Sequence, residues 1–156
     1  MTEHTSALSS AQTRFIDEFA ALYVTRGMPQ NMGRLFGYLM LQPDPVPMDK
    51  IAADLALSKT SVWNLTRELV NAGHATRHGV TGSKQALYAL SDDFTTPIEK
   101  MCDLLCATGM LLENGAETFA PPEVAEKLQQ RSAFYFALQQ ALANAVDDQK
   151  EIQKKR

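Results

Sequence analysis

The chain predicts a mainly helical fold with one small β-hairpin, and three observations carry that prediction. Apolar residues recur at three- and four-residue steps along most of its length, the period of an amphipathic helix. Residues 74–90 break the period into two β-prone runs around Gly79-Val80-Thr81-Gly82-Ser83, whose glycines suit a hairpin turn. Prolines and glycines stand between the helical runs as stops. At 156 residues, 45% of them hydrophobic, the chain suits one compact domain or a small module with a helical arm, and is too short for two large domains.

The first helix is expected over residues 11–23, where Phe15, Ile16, Phe19, Ala20 and Tyr23 share a face and Arg26-Gly27-Met28-Pro29 follows as a terminator. The second, residues 32–41, is apolar on most sides through Leu35, Phe36, Leu39, Met40 and Leu41, which places it inside the fold. Gln42-Pro43-Asp44-Pro45-Val46-Pro47 stops it, because each proline excludes the residue before it from helical geometry. Residues 48–57 read as a short helix with Ile51, Ala52 and Leu55 inward and Asp49 in the first turn, where a carboxylate complements the helix dipole.

Ser58 is placed to cap the next helix, since its hydroxyl can accept from a backbone amide one turn on, and Gly73 offers a left-handed exit. Strands follow at 74–78 and 85–90. Beyond Pro97 the positions Ile98, Cys102, Leu105, Gly109 and Leu112 form a seam for lengthwise packing on another helix, locally weakened at Gly109. After Ala120-Pro121-Pro122 a long final helix runs to Lys154-Lys155-Arg156, a basic tail that suits the negative end of the helix dipole. Val124, Leu128, Tyr135, Leu138 and Leu142 line one side of it. Phe134 and Phe136 broaden that surface beyond what a solitary helix tolerates, which implies a partner, most simply a second copy of the chain.

Two short helices joined by a tight turn, then a glycine-turned hairpin, make a winged helix-turn-helix at residues 45–92, flanked by scaffold or dimerisation helices at 1–44 and 93–156. On a helical wheel of residues 58–71, Val62, Leu65 and Leu69 face the preceding helix, and Thr60, Asn64, Arg67 and Asn71 fall opposite. Arginine pairs with guanine in two places, asparagine does so with adenine, and threonine meets a base edge or a thymine methyl, so this face fits a major groove. Ser58, Lys59 and Ser61, in the first turn, suit a phosphate, which both the dipole and the free backbone amides attract. Arg77, His78 and Lys84 put positive or chargeable groups on the wing, expected against the backbone or minor groove. Residues 58–90 hold one carboxylate, Glu68, so the local field is positive although the formal net charge is -3. An amphipathic helix whose polar face meets only water is the plain alternative; the order of elements favours DNA.

The stretch GRLFGYLMLQPDPVPMDKIAADLALSKTSVWNLTRELVNAGHATRHGVTGSKQALYAL resembles the winged-helix domain of the MarR superfamily, nearest its GbsR/MarR-like branch of glycine-betaine-synthesis repressors. GRLFGYLML resembles the family helix before the motif, MDKIAADLALSKTSVW the helix-turn-helix and GSKQALYAL the second wing strand. Pro47 departs from the serine or threonine more usual before the first helix. The resemblance implies a homodimeric transcriptional repressor whose first and last helices interleave between subunits and which leaves a palindromic, double-stranded operator when a small effector binds. It implies an effector site near Tyr23, Phe36, Tyr38, Trp63 and Tyr135, with a quaternary ammonium compound as the ligand that aromatic faces would hold. Aromatics at helical spacing are more often core.

Cys102 and Cys106, one turn apart with nothing basic beside them, read as reduced core residues rather than as an oxidant sensor or zinc site. His74 and His78 share strand parity, yet no carboxylate or cysteine nearby in sequence completes a metal site. No metal or cofactor is expected, and the sequence lacks the phosphate-loop, zinc-protease and nucleophile-elbow motifs of enzymes. The start lacks a secretory pattern and no run approaches the roughly 18 apolar residues of a membrane span, so a cytoplasmic protein is expected. The rival of another class is a winged-helix adaptor that binds protein and not DNA, for which the acidic balance argues.

Overall fold

The structure, a computed structural model, describes residues 8–155 other than Lys84. In chain order the elements are α1 (Ser10–Val24), α2 (Gln30–Met40), β1 (Val46–Pro47), α3 (Met48–Leu55), α4 (Lys59–Ala72), β2 (Ala75–Gly79), β3 (Ala86–Leu90), α5 (Thr96–Thr118) and α6 (Pro122–Lys154). They fall into two compact units, one ending at Asp92 and one beginning at Asp93.

In the first unit α1 opens with a capping box, in which the Ser9 hydroxyl accepts from the Gln12 amide and the Gln12 side chain accepts from the Ser9 amide. Its Ile16 and Ala20 are buried, as the apolar spacing predicts, while Phe15 on the same wheel is exposed. Helix α2 lies inside against α1, α3, α4 and β3, with Leu35, Tyr38 and Leu39 fully buried. Met40, expected inward, ends that helix exposed.

Ile16, Leu35, Tyr38, Ile51, Leu55, Val62, Leu69 and Tyr88 belong to a single apolar cluster, each such side chain contributing about 1.5–3 kcal/mol by leaving water. The helices assigned from sequence to a separate 1–44 segment therefore share a core with the motif. Arg34 adds a polar clasp, donating to the Asp17 carboxylate of α1 and to the Leu55 carbonyl at the end of α3.

The proline-rich stretch does stop α2, but Val46 and Pro47 then pair antiparallel with Tyr88 and Leu87. The sheet accordingly has three strands, ordered β1-β3-β2, where the sequence predicts a two-stranded hairpin. An edge strand tolerates proline because one side of its ladder needs no donor. Helix α3 ends at Leu55, two residues short of the expected boundary, because Ala56 turns left-handed at φ 54 and ψ 44.

In the second unit α5 and α6 pack antiparallel. Of the predicted seam, Cys102, Leu105 and Gly109 are buried, whereas Ile98 is exposed and Leu112 half-buried; Ala116, outside that prediction, is buried as well. Gly109 does not weaken this seam. A Cβ built there would lie 2.8 Å from the Phe136 ring, so the missing side chain is what admits the ring. The buried Ser132 hydroxyl donates to the Gly109 carbonyl at 2.9 Å, and Lys150 pairs with Glu99 nearer the helix ends. On α6, Leu128, Tyr135 and Leu142 are half-buried, but Val124 and Leu138 of the predicted stripe are exposed. Among the described residues no helix is long and apolar enough to cross a membrane.

Candidate nucleic-acid interface

Helix α4 is built to present one face and bury the other. Ser58 caps it from extended geometry, its hydroxyl accepting from the Ser61 amide at 3.1 Å, and Gly73 ends it at φ 86, a left-handed conformation that glycine adopts without strain. Val62, Thr66 and Leu69 are buried on the inner side. Thr66 reads as polar in sequence, yet it is fully buried because its hydroxyl donates within the helix to the Val62 carbonyl at 2.8 Å.

Ser58, Lys59, Thr60, Arg67 and Asn71 are exposed, and Ser61 and Asn64 are half-buried. Four residues expected at a groove are thus brought to one helix, with Asn64 set deeper than the other three. The Lys59 ammonium lies 2.9 Å from the Asp49 carboxylate, both groups being largely exposed. Such a pair is worth at most about 1 kcal/mol, so an arriving phosphate can take the lysine from it. Sequence reading missed Asp49 in this role, because only the fold of the motif sets the first turn of α3 beside the first turn of α4.

The wing follows directly. Ala75 to Gly79 pair with Leu90 to Ala86, and Gly82 at φ 77 helps reverse the chain. Arg77 and His78 lie exposed on β2, and His78 Nε2 shares a 2.8 Å hydrogen bond with the Thr76 hydroxyl. Lys84, the third basic group expected on the wing, lies outside the described residues, as does Arg156 of the basic tail. His74 precedes the strand, and its ring stands 4.8 Å from that of Phe36, so the two histidines occupy different surroundings.

The four first-unit aromatic residues expected around an effector, Tyr23, Phe36, Tyr38 and Trp63, do not form one cluster. Tyr23 and Phe36 come together with Phe19, at centroid separations of 4.9 Å for Phe19 and Tyr23 and 5.4 Å for Phe19 and Phe36. Tyr38 is sealed in the core, its hydroxyl donating to Asp54 Oδ2 at 2.7 Å, while Lys50 Nζ lies 2.8 Å from the same oxygen. Burial first, then the hydrogen bond and the charge of Asp54, raise the Tyr38 phenol above its ordinary pKa. Trp63 stands on α4 with its ring beneath the Arg67 guanidinium, and Tyr135 belongs to the second unit.

Cys102 is buried and its thiol points at the Gln139 carbonyl, 3.8 Å away; Cys106 is half-buried, and the two form no disulfide.

No protein-family profile matches the chain. Over 87 residues it is 25% identical to the HTH-type transcriptional repressor OpcR of Bacillus subtilis, a span covering 56% of this chain and 47% of that protein. It is likewise 25% identical over 87 residues to the putative HTH-type transcriptional regulator YvaV of the same organism, covering 56% and 49%. The chain spans about half the length of these curated relatives. A solved structure described as the crystal structure of a transcriptional regulator superposes with a TM-score of 0.81 at 19% identity, covering 90% of this chain and 99% of that one. With α3 and α4 meeting at a tight turn and a three-stranded antiparallel sheet beside them, the fold is the mainly α winged helix that the sequence predicts, shared with a transcriptional regulator.

Proposed function

We propose that the protein is a sequence-specific DNA-binding transcriptional regulator, a homodimeric repressor of the MarR superfamily's GbsR-like kind that a small effector releases. One observation carries the reading. Helix α4 fixes Val62, Thr66 and Leu69 in the core while leaving Thr60, Arg67 and Asn71 exposed beside a wing that exposes Arg77. The named similarity to OpcR and YvaV supports it, since both are described as HTH-type regulators.

Homodimerisation is supported by apolar surface on the second unit. Met101, Leu104 and Leu111 lie at helical spacing on α5, with Leu104 and Leu111 60% and 73% exposed, and Phe134 on α6 is 65% exposed. Large apolar side chains left exposed at this spacing along α5 suit a surface that another chain covers. Two copies would set two recognition helices about one DNA turn apart, ~34 Å, the spacing of a palindromic operator. For the effector, the exposed Tyr23 ring, backed by Phe19 and Phe36, is the aromatic face offered to a quaternary ammonium group. Titration calorimetry with choline and glycine betaine tests this, and absence of heat with both removes that ligand class.

The expected result for DNA is that Arg67→Ala weakens binding to a selected operator by about 1–3 kcal/mol while the dimer persists, read by band shift and sedimentation at matched salt. Unchanged operator affinity contradicts it. The adaptor reading, for which the net charge of -3 argues, predicts a largely apolar protein contact that barely responds to salt. DNA binding through several phosphates falls steeply as salt rises.

A further inference from the structure

The geometry points to Trp63 as a positioning residue for DNA readout, one that holds Arg67 ready for a guanine; this rests on the DNA-binding reading above. Trp63 and Arg67 are four residues apart on α4, the spacing at which helical side chains meet. The Arg67 guanidinium carbon lies 4.5 Å from the indole centroid, over the ring, within the range of attraction between a cation and the ring quadrupole. Tryptophan gives the strongest such face.

Two further facts separate this from ordinary packing. The indole is 47% exposed, so a large apolar ring stays half in water on the face that carries Thr60 and Arg67. Among the ion pairs of the described residues none involves Arg67, whereas Lys59 on the same helix is paired with Asp49. Arg67 is held through its face, which leaves its N–H edges for an acceptor. The two guanine acceptors, O6 and N7, are what a guanidinium edge matches. An arginine already restrained loses less conformational freedom on binding than one free in water, and the gain falls on the specific complex alone. The indole face, being covered by the protein's own cation, is correspondingly unsuited to an external ammonium ligand.

The test uses the full chain and a random-sequence duplex pool. The parent is carried through selection, and the guanine read by Arg67 is identified as the position whose preference Arg67→Ala abolishes. Trp63→Leu is expected to reduce that guanine preference roughly 3- to 30-fold while leaving affinity for unselected duplex unchanged. Trp63→Phe should restore part of the preference, and Trp63→Leu combined with Arg67→Ala should discriminate no worse than Arg67→Ala alone. Because the chain has one tryptophan, its emission reports this position alone and should change on binding the selected duplex. If the parent enriches no sequence, the DNA reading falls and the positioning role with it. If enrichment depends on Arg67 but Trp63→Leu keeps the full guanine preference, or the two losses simply multiply, only the role of Trp63 is overturned. Matching unfolding midpoints for the variants exclude a folding defect.

Discussion

Between α3 and α4 the backbone turns on Ala56, the non-glycine residue with positive φ among those described. The left-handed region brings Cβ close to the following carbonyl oxygen at a cost of about 1–2 kcal/mol, and the exposed methyl gains little packing in return. Ala56→Gly is therefore expected to stabilise the chain by about 0.5–1 kcal/mol, after the flexibility glycine adds to the unfolded chain, seen as a higher urea midpoint with unchanged slope.

Asp93 makes a contribution that depends on pH. Hydrogen bonds from the Thr95 and Thr96 hydroxyls and the Thr95 amide hold its carboxyl down at about 2, against an ordinary value of 3.8. Its contribution is present above pH 3.8 and is lost as pH falls through about 2. Asp93→Asn, which mimics the protonated form, should be less stable than the parent at neutral pH. Thermal scans should show that gap closing between pH 4 and pH 2.

At the level of elements, the α5–α6 pair depends on the approach of Phe136 to Gly109. Gly109→Ala should cost about 1–3 kcal/mol, because the added methyl meets the rigid ring rather than a flexible side-chain end. Phe136→Ala should absorb most of that penalty, so a double-mutant cycle by chemical unfolding should give a clear coupling. A sequence shows glycine in a seam only as a missing side chain; the ring that fills the space lies 27 positions on and leaves no local mark.

Helices with local punctuation were legible. Ser58 and Gly73 mark the ends of α4, and the glycines at 79 and 82 mark the wing turn. Strand β1 was not legible, because Val46 and Pro47 sit among prolines that read only as a stop and their partners lie some forty residues downstream. The exposure of Trp63 and the burial of Thr66 have no local mark either. Aromatic character reads as core and a hydroxyl as surface, whereas here Arg67 supports the exposed ring and an in-helix hydrogen bond satisfies the buried hydroxyl.

For the whole molecule, the proposed dimer gives the exposed apolar residues of the second unit their reason. Leu104→Glu together with Leu111→Glu should shift the chain toward monomer in sedimentation and weaken operator binding, since a single copy reads one half-site. Circular dichroism should stay helical, because neither side chain belongs to the buried seam.

The most direct measurement is dimethyl sulfate protection of the selected duplex, which reports guanine N7 in the major groove separately from adenine N3 in the minor groove. With the parent, guanine N7 protection is expected at two symmetric positions about one helical turn apart, ~10 base pairs, and lost in Arg67→Ala. N7 protection that survives Arg67→Ala unchanged, or protection confined to adenine N3, would contradict the entry of α4 into the major groove.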